Sequence, residues 1–185
     1  MRPGRAGRGT ADLAARCAAL VRDVPDYPHA GIRFKDITPL LADAEAFGLV
    51  VDHLARSAGD GIDLVAGMEA RGFILGAPVA AALGAGFVPV RKAGKLPGPV
   101  LAATYELEYG TASVEVHPET IPAGARVLVV DDVLATGGTA AATARLIEQA
   151  GGVVVGLSFL LELTFLAGRD RLAGRPVDAL VQVDA

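Results

Sequence analysis

The chain has 185 residues, with 17 Lys or Arg against 21 Asp or Glu, a formal net charge of −4. Hydrophobic residues make up 52% and charged residues 21%, enough apolar material for the core of one domain, which excludes a disordered or low-complexity chain. The acidic balance argues against a nucleic-acid coat or a binder of anionic membranes, and no apolar run reaches the roughly 20 residues of a membrane span. Met1 to Gly9 is basic and rich in Gly and Arg, and reads as a flexible tail ahead of a single domain over residues 10–185. Thr10 can cap a helix whose apolar face carries Leu13, Cys17, Leu20, Val21 and Val24, ended by Pro25. Cys17, the one cysteine, lies on that stripe and reads as a small core residue; it leaves no internal disulfide, and a reducing, cytoplasmic setting is expected. Asp43 can cap a second helix, with Phe47, Val50, Val51, Leu54 and Ala58 inward, His53 off the stripe and facing solvent, and Gly59 past the end.

Strands and helices then alternate. Asp63 to Gly67, Gly86 to Val90, Arg126 to Val130 and Gly152 to Leu160 are continuous apolar strands, and Gly72 to Leu83 and Thr139 to Ala150 are helices. That alternation predicts an α/β fold with a central parallel sheet covered on both faces. Leu101 to Glu108 and Thr111 to His117 can pair as a hairpin around Tyr109-Gly110, and Ala179 to Val183 can close the fold.

The most informative segment is Val127-Leu128-Val129-Val130-Asp131-Asp132-Val133-Leu134-Ala135-Thr136-Gly137-Gly138-Thr139. A buried strand ends in two carboxylates, and a loop with two glycines and two threonines leads into a helix. Glycines let backbone N–H groups approach a phosphate at a helix start, and threonine hydroxyls add donors. The adjacent acids would repel that phosphate, so they need sugar hydroxyls or a metal ion as partner. The segment therefore describes a sugar phosphate, with phosphate on Thr136 to Thr139 and a ribose diol on Asp131 and Asp132. A P-loop is excluded: Gly67 and Gly72 have the spacing, but Phe73 stands where lysine is needed. The three histidines, His29, His53 and His117, are too far apart to write a local metal motif.

The string resembles the phosphoribosyl-pyrophosphate (PRPP) motif of the type I phosphoribosyltransferases. Ile32 to Pro39, Gly67 to Phe73, Arg91 to Gly98 and Leu107 to Gly110 narrow the resemblance to the adenine enzymes, in order from about Val24 to Gly168. The resemblance implies the type I fold with a small hood, and the reaction of adenine with PRPP to give AMP and pyrophosphate. It implies that Asp131, Asp132, Ala135, Thr136, Gly137, Gly138 and Thr139 hold the phosphoribosyl group. It implies that Glu69, Ala70 and Arg71 hold pyrophosphate, through a turn that in the family often contains a non-proline cis peptide. Glu69-Ala70 replaces the Asp-Ser common before the family's arginine, so the serine hydroxyl is missing. Arg91, Lys92 and Lys95 match a closing basic loop that keeps water from the activated ribose. Glu108 matches the glutamate facing the base, and with Arg71 it forms the expected catalytic set. Arg33 and Lys35 fall in the adenine-edge segment, where the family reads the base largely through main chain. Mg²⁺ is expected to arrive with PRPP, with no protein metal site. A homodimer is implied as well. The competing readings are a phosphoribosyltransferase for another purine base and a PRPP-sensing regulator on the same fold; the acidic charge and the short stretch before Pro25 oppose the second.

Overall fold

The computed structural model describes residues 5–106 and 111–184, and the chain divides into two units, residues 1–52 and 53–185. In the first unit lie α1 (Arg5–Leu20), β1 (Arg22–Val24), β2 (Phe34–Asp36) and α2 (Thr38–Ala42), and α3 (Ala44–Ser57) runs on into the second. α1 starts five residues before the expected cap at Thr10 and stops at Leu20. Val24 is therefore not on the helix: it pairs with Phe34 in an antiparallel ribbon that periodicity did not reveal. Beta-branched Val24 suits a strand, and the Arg22–Asp36 ion pair at 2.6 Å ties the other end of the ribbon. Cys17 is fully buried, as its stripe required, and burial pushes its thiol up to about 11. Asp43 caps α3 as expected, its Oδ1 accepting the Ala46 N–H at 2.9 Å.

The second unit is built on one sheet. Its strands are β3 (Leu64–Met68), β4 (Gly86–Lys92), β5 (Leu101–Glu106), β6 (Thr111–Val116), β7 (Arg126–Leu134), β8 (Val153–Leu163) and β9 (Val177–Val183), in the order β5-β6-β4-β3-β7-β8-β9. β4, β3, β7, β8 and β9 are parallel, and the β5–β6 hairpin adds to one edge antiparallel, joined through Arg91↔Glu115 and Lys92↔Val114. The sheet is thus mixed at that edge and parallel elsewhere. α4 (Arg71–Leu83) links β3 to β4, and α5 (Gly138–Gln149) links β7 to β8. Val127, Leu128, Val129 and Val130 are all buried, so both faces of β7 are covered and the strand reads as an unbroken apolar run.

Two expectations change here. β7 does not end at the two aspartates; pairing with β8 continues to Leu134↔Glu162. His53 is not solvent-facing: its side chain is 16% exposed, with Nε2 3.3 Å from Asp178 Oδ2 on β9. A strand more than a hundred residues away supplies that partner, which spacing along α3 cannot show.

The strand order places the functional site. From β3 the chain crosses to β4 on one side, and from β7 to β8 on the other. Right-handed crossovers in opposite directions put their helices on opposite faces, and leave a crevice between the C-terminal ends of β3 and β7.

Candidate active site

Both sides of that crevice carry residues the motifs singled out. After β3 comes the turn Glu69-Ala70-Arg71, whose Glu69–Ala70 peptide is cis. Glu69 N–H donates to the Val90 carbonyl at 2.9 Å, which ties the turn to β4. The Glu69 carboxylate accepts the Lys92 N–H at 3.0 Å and Arg91 Nε at 3.2 Å. Those two bonds hold its pKa below the ordinary glutamate value, so it stays ionised. Arg91 and Lys92 belong to β4 rather than to the loop, and Arg91 also donates to the Lys95 carbonyl at 3.3 Å. Of the three cations only Lys95 is in the loop after β4, where Gly94 N–H donates to Glu115 on β6 at 3.0 Å.

After β7 comes the glycine loop. Gly137 has φ +77° and precedes α5, so the helix starts at Gly138 rather than Thr139. Asp131, Thr136, Gly137, Gly138 and Thr139 line a cavity of about 80 Å³. A wider hollow lies alongside, lined by Glu69, Lys92, Tyr105, Asp131 and Thr139 among others. Thr139 Oγ1 donates to the Tyr105 hydroxyl at 3.0 Å, which joins the hairpin to the start of α5.

The two sides meet at the aspartates. Arg71 Nε lies 2.6 Å from Asp132 Oδ2, and the Asp132 side chain is 5% exposed. Gly72 leaves room for its neighbour, since a Cβ there would stand 2.7 Å from Asp131 Oδ1. Desolvation, then repulsion from Asp132, pushes Asp131 well above the ordinary carboxylate range. Desolvation raises Asp132 too, opposed by the Arg71 guanidinium. Among the described residues, no three or more His, Cys, Asp or Glu side chains are grouped to hold a metal ion.

Arg33 and Lys35 lie in the first unit. Both face Asp23: Lys35 Nζ is ion-paired with it, and Arg33 stands 3.7 Å away. That pair engages one of the three N–H donors of the Lys35 ammonium. Ile32 uses its N–H toward His29 and its carbonyl toward Tyr27. Glu108 lies outside the described residues, between Glu106 and Thr111, which are paired.

The chain matches the model of the phosphoribosyl transferase domain over residues 41–177. It is 60% identical over 173 residues to an adenine phosphoribosyltransferase of Thermobifida fusca, covering 93% of this chain and 98% of that one. The chain belongs to the adenine phosphoribosyltransferases. A crystal structure of the adenine phosphoribosyltransferase of Rhodothermus marinus superposes with TM-score 0.90 at 52% identity, over 94% of this chain and 99% of that one. The Saccharomyces cerevisiae adenine phosphoribosyltransferase, complexed with an imino-altritol bisphosphate and adenine, gives TM-score 0.86 at 42% identity, over 92% and 99%. Adenine phosphoribosyltransferase membership agrees with the mixed sheet flanked by helices and with the crevice at its switch point.

Spacing alone did not single out Tyr105 or Gly168. Gly168 stands directly behind the glycine loop: a Cβ on Gly137 would meet the Gly168 carbonyl oxygen at 2.3 Å. Gly137→Val is therefore expected to lower PRPP affinity by at least about 10²-fold and also the melting temperature, because the backbone itself must move. Calorimetric titration and a thermal melt check both; unchanged affinity places the phosphate elsewhere.

Asp131→Asn separates folding from binding. A raised carboxyl pKa means the folded state holds its proton more tightly than the unfolded chain does. The stability cost is absent below the unfolded value, near pH 4, and grows as pH rises toward the folded value. Removing the charge is expected to raise the melting temperature of the ligand-free protein at pH 7–8 by about 2–5 °C, with the gap closing toward pH 4. PRPP binding is expected to weaken about tenfold, because a carboxylate accepts from both diol hydroxyls and an amide does so poorly. A lower melting temperature at pH 7–8 would show that the carboxylate stabilises the empty site.

Proposed function

We propose that this chain transfers the 5-phosphoribosyl group of PRPP to adenine, giving AMP and pyrophosphate in purine salvage. The observation that carries the reading is the crevice itself: a glycine-lined cavity after β7, with Asp131 and Asp132 within that strand and Asp132 paired with Arg71 after the neighbouring strand β3. In this reading the backbone of Ala135 to Gly138, with Thr136 and Thr139, holds the 5′-phosphate. Asp131 and Asp132 accept from the ribose hydroxyls and favour positive charge at C1′. Asp132 holds the Arg71 guanidinium at the crevice, where it donates to the diphosphate with the Ala70 turn, Lys92 and Lys95. Glu69 orients Arg91 and Lys92. The bond from C1′ to the pyrophosphate oxygen breaks and a bond to adenine N9 forms. Adenine attacks through the N9 lone pair in its N7–H form, and Glu108, at N7, receives the N7 proton. No covalent enzyme intermediate is needed, because pyrophosphate leaves readily and the site holds both reactants in line.

Two carboxylates, one of them paired with arginine, suit a cation that keeps most of its ligands from substrate oxygens and water. Mg²⁺ brought by PRPP would neutralise charge on the departing pyrophosphate. Adenine is read by the main chain around Arg33 and Lys35, consistent with the commitment of the Lys35 side chain to Asp23. The family match crosses the boundary between residues 52 and 53, which favours both units working as one domain over residues 10–185. We place the enzyme in the cytoplasm as a homodimer acting on small molecules, without nucleic acid or membrane partners. No helix among the described residues is long and apolar enough to cross a membrane.

Incubation with PRPP, Mg²⁺ and adenine is expected to give AMP and pyrophosphate in equal amounts. Binding of PRPP without turnover of any purine would instead favour the regulator reading.

A further inference from the structure

Behind the glycine loop runs the turn Gly168–Leu172, which the proposed chemistry does not use. Its contact with the loop is backbone against backbone. A Cβ on Gly168 would lie 2.2 Å from the Ala135 carbonyl oxygen and 3.1 Å from the Gly137 nitrogen. With Gly137 facing it across the same contact, no side chain separates the two segments. The turn is itself anchored. Arg169 donates Nε and Nη2 to the two oxygens of Glu162 at 2.6 and 2.7 Å, and Nη1 to the Val177 carbonyl at 2.8 Å. The Glu162 side chain is 6% exposed and lies on β8, opposite Leu134 at the end of β7. Leu172, at the far end of the turn, is buried in the core.

The fork fixes the turn to β8 and β9, the turn fixes the Ala135–Gly137 backbone, and that backbone lines the cavity. We propose that Gly168, held by the Arg169–Glu162 fork, is a positioning residue that sets the height of the phosphate loop and so the affinity for the 5′-phosphate. The inference rests on the reading of that cavity as the 5′-phosphate site. A displaced loop loses its grip on a phosphate without touching the ligand, since a misplacement of about 1 Å can cost about 10²-fold. A two-nitrogen fork to a buried carboxylate sets position more narrowly than a single ammonium can.

The readout is the phosphate's own share of binding. Adenosine and AMP differ by the 5′-phosphate, so the ratio of their inhibition constants against PRPP reports that contact alone. In the unaltered protein AMP is expected to bind at least about 10²-fold more tightly than adenosine. A ratio near one there would overturn the phosphate assignment of the cavity. Gly168→Ala is expected to shrink the ratio by at least about tenfold, mainly by weakening AMP. Should Gly168→Ala not fold, Arg169→Lys serves: the charge stays, the fork is lost, and the ratio is expected to fall about 3–10-fold. A general loss of packing would weaken both ligands alike and leave the ratio unmoved. An unmoved ratio in the folded variant, with the unaltered protein discriminating as expected, overturns the positioning role.

Discussion

Offered adenine or hypoxanthine with saturating PRPP, the enzyme is expected to prefer adenine by about 10⁴-fold in kcat/KM. Adenine presents an exocyclic amine that donates and an N1 that accepts. Hypoxanthine reverses both, with a carbonyl that accepts and an N1–H that donates. A site made of main-chain groups cannot rotate to suit the second pattern, as a hydroxyl could. Each group would face its own kind in a desolvated site, and two unmade hydrogen bonds cost far more than a missing methylene would. The ribbon that carries Lys35, with Arg33 just before it, is suited to such rigidity: its register is set by Arg22↔Asp36, Asp23↔Lys35 and Val24↔Phe34. Its turn is closed by Asp26 Oδ1 accepting the Gly31 N–H at 2.8 Å. Initial rates of pyrophosphate release with each base measure the preference. Comparable values would reject adenine as the substrate and return another purine to consideration.

Glu108→Gln is expected to lower the single-turnover rate by about 10²–10⁴-fold, if proton transfer limits that step, while PRPP affinity changes only a few-fold. Glutamine keeps the size and one acceptor but has no basic carboxylate to receive the proton leaving N7. The PRPP contacts proposed above come from the turn after β3, from β4 and the loop after it, and from β7 and its glycine loop, not from the stretch between Glu106 and Thr111. Asp132→Asn should differ in kind, weakening PRPP as well as slowing turnover, because it takes charge from the ribose and from Arg71 at once. Single-turnover rates together with calorimetric PRPP titrations distinguish the two. A Glu108→Gln variant as fast as the unaltered enzyme would make that glutamate an ordinary hairpin residue.

The sheet was legible because its strands are buried on both faces and so appear as plain apolar runs: Val127 to Val130 could hardly be anything else. The Asp131–Thr139 string was legible because carboxylates followed by a glycine turn are costly without a ligand to answer them. What could not be read depends on residues distant in sequence. Val24 continues the helical stripe of α1 by spacing, yet its partner in a strand is Phe34. His53 is polar and off the apolar face of its helix, yet Asp178 lies beside it. Gly168 is one of 23 glycines, and only the backbone of Gly137 reveals what its missing side chain makes possible. Arg91 reads as part of a loose basic loop until Glu69, 22 residues earlier, is found to hold it in a strand.

The two neighbouring carboxylates at the end of the crevice have a consequence for the protein's life in a cell. Asp131 and Asp132 oppose one another most when the site is empty, with Arg71 and nearby backbone N–H groups as counterweight. A bound ribose gives them hydrogen-bond donors, and that relief is part of the binding free energy by which substrate stabilises the folded state. Empty molecules then open more often than occupied ones and are exposed more often to proteases. The abundance of the enzyme would follow the supply of its activated sugar without any dedicated regulator.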